Sequence, residues 1–117
     1  MNWLCKAILP VILAFHATDM HAQKVFLVEQ PSMADVRVHV VNNISRADLK
    51  VYRVGMSYEA GRNNGRWFTA LHPSLADVKV CFVDNEIQAD VLIAYVHRAQ
   101  MAGWVNEEKM SHFERKR

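Results

Sequence analysis

The chain has 117 residues, of which 51% are hydrophobic and 22% charged, with a formal net charge of +2 and two cysteines. That length holds one small domain with a thin core rather than several domains. The charge is too mild for a nucleic-acid binder, and two cysteines are too few for a disulfide-built scaffold.

Residues 1–22 read as a secretory signal peptide. Met1 to Lys6 is a short leading segment with one cation, and Ala7 to Phe15 is an apolar run broken by Pro10. A polar stretch from His16 to His21 then leads to Ala22-Gln23. The run is too short to span a bilayer. Cleavage is expected after Ala22, although Met20 is larger than ideal at the third residue before the cut. The competing reading is an amphipathic or buried N-terminal helix. A mature chain starting at Gln23 carries no transmembrane anchor and is expected outside the cytoplasm, secreted or periplasmic. It keeps only Cys81, which is either free or bridged to another chain.

From there the chain alternates with a period of two, the pattern of half-buried strands. A first strand fits Lys24 to Val28, with Val25 and Leu27 facing inward. Val36, Val38 and Val40 face away from Arg37 and His39, and Leu49 and Val51 away from Lys50 and Tyr52. The segment Gly61 to Phe68, with Asn63-Asn64 between two glycines, reads as a corner. Val78, Val80 and Phe82 then face away from Lys79 and Cys81, and Val91, Ile93 and Tyr95 complete the set. The second corner is Gly103 to Asn106. Residues 110–117 form a charged tail that either frays or docks through Met110 and Phe113.

These elements repeat. Pro31-Ser-Met-Ala-Asp-Val-Arg-Val38 returns 42 residues later as Pro73-Ser-Leu-Ala-Asp-Val-Lys-Val80. Within each copy a beat of 13 residues places Ala34-Asp35, Ala47-Asp48 and Ala60-Gly61, then Ala76-Asp77, Ala89-Asp90 and Ala102-Gly103. Self-similarity at a fixed period describes an architecture of stacked units. Ser32, Ser45 and Ser74 each precede the Asp by three residues, which reads as a capping box on a single helical turn, with the Ala buried beside it. Ile87-Gln88-Ala89-Asp90 lacks the Ser. The fold expected is all-β: six to seven short strands in 13-residue repeats, arranged as two interwound 42-residue copies with one capped turn between strands.

The beat, the Asp, Asp, Gly order in both copies and the closing Gly103-Trp104 resemble the septoil-knot family of small secreted bacterial proteins. The resemblance runs from about Lys24 to Asn106 and includes the strands that begin Asp35-Val-Arg-Val, Asp48-Leu-Lys-Val and Asp77-Val-Lys-Val. It implies a β fold whose backbone forms a seven-crossing torus knot, which two interwound copies make intelligible. True knots are otherwise nearly absent from proteins. The resemblance carries a fold and no established activity. It places the repeat domain at residues 23–109.

The polar residues read as structural. Asp35, Asp48, Asp77 and Asp90 stand one per turn, whereas a calcium loop crowds several oxygens together, so turn capping is expected, with Arg37, Lys50 and Lys79 as neighbouring cations. The mature histidines His39, His72, His97 and His112 show no close pair of the kind zinc sites use. No G-x-S-x-G nucleophile elbow is present. The expectation is therefore no catalytic residue, no metal and no cofactor. Cys81 reads as a small hydrophobe on an outward strand face. Trp67, Phe68 and Trp104 either plug the ends of the core or form a binding surface for an envelope protein or glycan. The function expected is a non-enzymatic envelope interaction or structural module; the alternative is a small hydrolase or metal-binding protein using the turn carboxylates.

Overall fold

The computed structural model describes residues 23–114, so the leader reading for residues 1–22 and the last three residues lie outside the described residues. Seven strands follow one another: β1 Lys24–Leu27, β2 Val36–Val40, β3 Leu49–Arg53, β4 Arg66–Thr69, β5 Val78–Phe82, β6 Val91–Tyr95 and β7 Gly103–Trp104. Single 3-10 turns join them, at Pro31–Met33, Ile44–Arg46, Ser57–Glu59, Pro73–Leu75, Glu86–Gln88 and Ala99–Met101, and a longer one, Glu107–Phe113, ends the chain. The all-β repeat fold read from the sequence is the fold observed. The two corners are more regular than expected: Arg66–Thr69 and Gly103–Trp104 are strands. Among the described residues no helix is long and apolar enough to cross a membrane.

The strand order is β4-β1-β5-β2-β6-β3-β7, and a further β4–β3 pairing closes β1 to β6 into a six-stranded barrel. Every pairing in that ring is parallel. The first copy supplies β1 to β3 and the second β4 to β6, and the two alternate all the way around the ring, the β3–β4 closure included. Closure removes exposed sheet edges from the ring.

Parallel neighbours ordinarily need a crossover of a dozen or more residues to carry the chain back to the start of the next strand. Here the register makes the return unnecessary. Val80 faces Leu27, near the end of β1, and also Val36, the first residue of β2. Ile93 likewise faces Val40 at the end of β2 and Leu49 at the start of β3. Val38 faces Phe82 and Val91, and Val25 faces Thr69 and Val78. Each strand thus begins at the level where its predecessor ended, and the chain climbs as it circles. A single 3-10 turn over the one intervening strand is enough. It is closed by an Ala N–H, as when Ala34 donates to Pro31 O and Ala76 to Pro73 O.

The register residues Val25, Val38, Val80 and Ile93 form the barrel interior with Val36, Leu49, Val51, Val78 and Val91. Burying one such side chain stabilises by roughly 1.5–3 kcal/mol. The inward alternation stops short of the strand ends. Leu27, Val40 and Phe82, expected inside, are exposed, because at their level the interior is already filled by the first residue of the next strand and the residue facing it. The outward face is covered in its turn. Val41, Ala47 and Ala94 form a second cluster with Leu92. Cys81, expected to point outward, is buried, and its thiol donates to Glu29 O in the connection after β1. Of the repeated alanines only Ala47 is buried; Ala34, Ala60, Ala76, Ala89 and Ala102 are half-buried.

Candidate functional site

The four repeated aspartates all do the same thing, and it is not the capping expected of them. Ser32, Ser45 and Ser74 lie inside the 3-10 turns rather than ahead of them. The caps are asparagines: Asn43, Asn85 and Asn106 accept through Oδ1 from the backbone N–H two residues on. At Ser57–Glu59 the Glu59 carboxylate instead accepts from Met56 N–H. Each of these asparagines immediately precedes its turn.

Each aspartate reaches across to the other copy. Asp35 N–H donates to Lys79 O (2.8 Å) while its Oδ2 accepts from Lys79 N–H (2.9 Å). Asp48 holds Leu92 in the same way, at 2.7 and 2.9 Å. Asp77 holds Lys24 at 2.7 and 3.0 Å, and Asp90 holds Arg37 at 2.7 and 2.9 Å. The side-chain oxygen stands where the next strand's carbonyl would be, so the ladder is carried past the strand's end. Asp is the residue whose carboxylate, one methylene from the backbone, can accept there while its own N–H donates. In the third repeat of each copy Gly replaces Asp. Gly61 N–H turns back to Arg66 O, and Gly103 opens the antiparallel β7 opposite Lys50.

The cations that meet these acids are not the neighbours two residues on. The Arg37 guanidinium lies 3.2 Å from Asp90 Oδ1, and Lys109 Nζ lies 3.9 Å from Asp48 Oδ2. Burial pushes the Asp90 carboxyl up, but the Arg37 backbone N–H and guanidinium outweigh it and hold Asp90 below the usual carboxylate range. A separate ion pair links Arg46 to Glu86. Burial raises the Tyr95 phenol, against the Arg53 guanidinium that lies 4.4 Å above its ring.

The histidines stay apart. His39 Nδ1 is 2.9 Å from Val83 O, and among the described residues no three of His, Cys, Asp or Glu converge as a metal ion would require. Cys81, 2% exposed, is shielded from another chain's thiol while the barrel is closed.

Of the three aromatics read as either core plugs or a binding surface, Trp67 is a core residue, 3% exposed, with its ring 5.6 Å from that of Phe113. Trp104 meets the other side of Phe113 edge-on at 5.6 Å and donates from Nε1 to Asn63 O (2.9 Å). Phe68 is half-buried, its N–H bonded to Gln23 O. Trp67 and Trp104 therefore join Phe113 at the seam where β3 meets β4 and β7.

Sequence reading missed a different set of apolar residues. Each of the six interstrand turns presents a large apolar side chain to solvent: Met33, Ile44, Tyr58, Leu75, Ile87 and Met101. Ile87 is 87% exposed and Tyr58 80%. The signal was their recurrence at the one segment of each repeat that packs on the barrel through its backbone.

The family model described as the 7(1) septoil knot domain matches residues 22–105 of this chain. No curated protein and no solved structure gives a match.

Proposed function

Since the chain belongs to the septoil knot family, we propose that it is a secreted or periplasmic, non-enzymatic module that binds a protein or glycan of the cell envelope. The observation that carries this reading is how its polar and apolar residues are used. The four recurring carboxylates are taken up in joining the two copies, which leaves them poorly placed for acid–base or metal chemistry. The apolar side chains on the six turns, by contrast, have no partner in the fold's core. Exposed apolar area of this kind marks contact surfaces. The leader at residues 1–22 supports export.

The test is recovery of the C-terminally tagged protein from cross-linked cells, with partners read by mass spectrometry and the compartment by fractionation. A stoichiometric envelope partner, lost on Leu75→Ser with Ile87→Ser, is the result expected. Retention in the cytoplasm overturns export, and turnover abolished by Asp48→Asn or His39→Ala overturns the non-enzymatic reading.

A further inference from the structure

Among the described residues, two buried side chains hold polar atoms without a partner: Trp67, through its indole Nε1, and Gln23, through its whole amide. Among the described residues Gln23 is the only polar one that is fully buried, at 0% exposure, and both side-chain amide atoms, Nε2 and Oε1, lack a hydrogen-bond partner. Its backbone is held on both sides: the N–H donates to Gly61 O, and the carbonyl accepts from Phe68 N–H. A buried amide without partners costs free energy, because it gives up its hydrogen bonds to water and gains none in return. Nothing in the fold uses the side chain, and the repeat has no need of a glutamine here.

The leader reading changes what Gln23 is. Cleavage after Ala22 turns its peptide nitrogen into a free α-amine, which at neutral pH carries a proton. In this position the cation would have one carbonyl, that of Gly61, for company. An ammonium so placed is costly. N-terminal glutamine has a chemical route out of both difficulties.

We propose that Gln23 is a modification site, cyclised to pyroglutamate in the mature protein; this rests on the export reading. The unprotonated α-amine attacks Cδ of its own side chain. The new bond joins N to Cδ, the Cδ–Nε2 bond breaks, and Nε2 leaves as ammonia with the proton the amine gives up. No oxidant, reductant or second substrate is consumed. The ring nitrogen keeps one hydrogen, so it remains a donor beside Gly61 O. The positive charge is gone, and so is the orphaned Nε2. The five-membered lactam is smaller and less polar than the amine and amide it replaces, which suits a fully buried position. Cyclisation precedes burial, since the terminus must be free to fold back on itself.

The full 117-residue chain is expressed with its leader in an exporting host. Fresh mature protein is treated with an amine-labelling reagent after rapid unfolding, then digested and sequenced by mass spectrometry. The result expected is an N-terminal peptide that begins at Gln23, takes no α-amine label and is lighter than the open form by one ammonia. Stepwise chemical sequencing should be blocked until the unfolded chain is treated with pyroglutamyl aminopeptidase. In the Gln23→Asn variant, where the ring would be strained to four members, the same cut should leave a labelled amine. A labelled, open Gln23 terminus in the mature wild-type protein overturns the cyclisation and leaves export standing. A terminus elsewhere, or a retained leader, overturns it together with the export reading.

Discussion

At the scale of single residues the molecule depends on four aspartates whose backbone and side chain act as one bidentate group. Removing the carboxylate leaves the facing N–H without an acceptor at the barrel wall. Asp48→Ala strips the acceptor from Leu92 N–H and also from Asn106 Nδ2. The expected loss is about 1–3 kcal/mol, read as a shift in the denaturant midpoint at unchanged slope. Asp48→Asn keeps an oxygen at the same place and should lose less than about 1 kcal/mol. If alanine is tolerated, the carboxylate does not hold the copies together; if asparagine is as harmful as alanine, the charge facing Lys109 matters more than the acceptor. Asp90 adds a pH dependence. Its folded pKa is depressed, so protonation favours the unfolded chain. The stabilisation is complete above the ordinary carboxylate pKa of about 4 and is lost as pH falls through the lower folded value. Stability measured against pH should therefore fall less steeply in acid for Asp90→Asn than for the parent, and equal slopes would refute the assignment. The Arg37 pair is largely solvent-exposed, so its direct contribution near neutral pH is small.

At the scale of elements, the 3-10 segment Glu107–Phe113 is as much part of the barrel as any strand, because Phe113 fills the space between Trp67 and Trp104. Phe113→Ala should cost about 3–5 kcal/mol, the range for emptying a buried aromatic site, with a fluorescence change at the two tryptophans. An unaltered melt would mean that the seam closes without it. Gly65 marks the other end of the same seam. Its φ of 90° is open to glycine, and a Cβ there would lie against the Lys50 carbonyl oxygen and 2.9 Å from Gly103 N. Gly65→Ala should destabilise by more than about 1 kcal/mol, whereas Gly55→Ala, where a Cβ meets nothing, should change stability by no more than about 1 kcal/mol. The strands were legible in the sequence because alternation is a local property: Val36 and Val38 announce an inward face whatever they pair with. The role of Asp35 was not, since its partner Lys79 is 44 residues away and a cap and a cross-copy bridge look identical along the chain. The burial of Cys81 escaped for a similar reason. Parity names its face of the strand but not the connection at Glu29 that covers it. The corner read over Gly61 to Phe68 ran too far because the four-residue strand Arg66–Thr69 directly follows the turn-forming Gly61 to Gly65, and pairing with β1 and β3 is what marks it off as a strand.

At the scale of the whole molecule the decisive feature is that neighbours in space are strangers in sequence. In the ring every pairing joins a strand of one copy to a strand of the other, and only the β3–β4 pairing joins consecutive strands. The aspartate bridges span 44 or 53 residues each. Neither copy can close a sheet of its own, because each leaves gaps that the other's strands fill. Half of the chain therefore buries little until the second half is in place, and partial folds pay loop-closure entropy before any long-range contact offsets it. A meander of the same size meets no such delay. In the septoil knot the second copy must, in addition, be wound through the first, and an end must pass through a loop that the finished barrel holds shut. Refolding from denaturant should accordingly be slower than the millisecond-to-second times of simple β domains, and unfolding should be slow as well, with the two copies released together. The comparison that decides is a circular permutant opened at the exposed Leu71, which lies between the copies, against the parent in stopped-flow refolding. If winding limits the rate, the permutant, with Gln23 and Phe113 joined by a linker, should refold at a clearly different rate at matched stability. Equal, single-exponential, millisecond refolding of both would show that the copies assemble without threading.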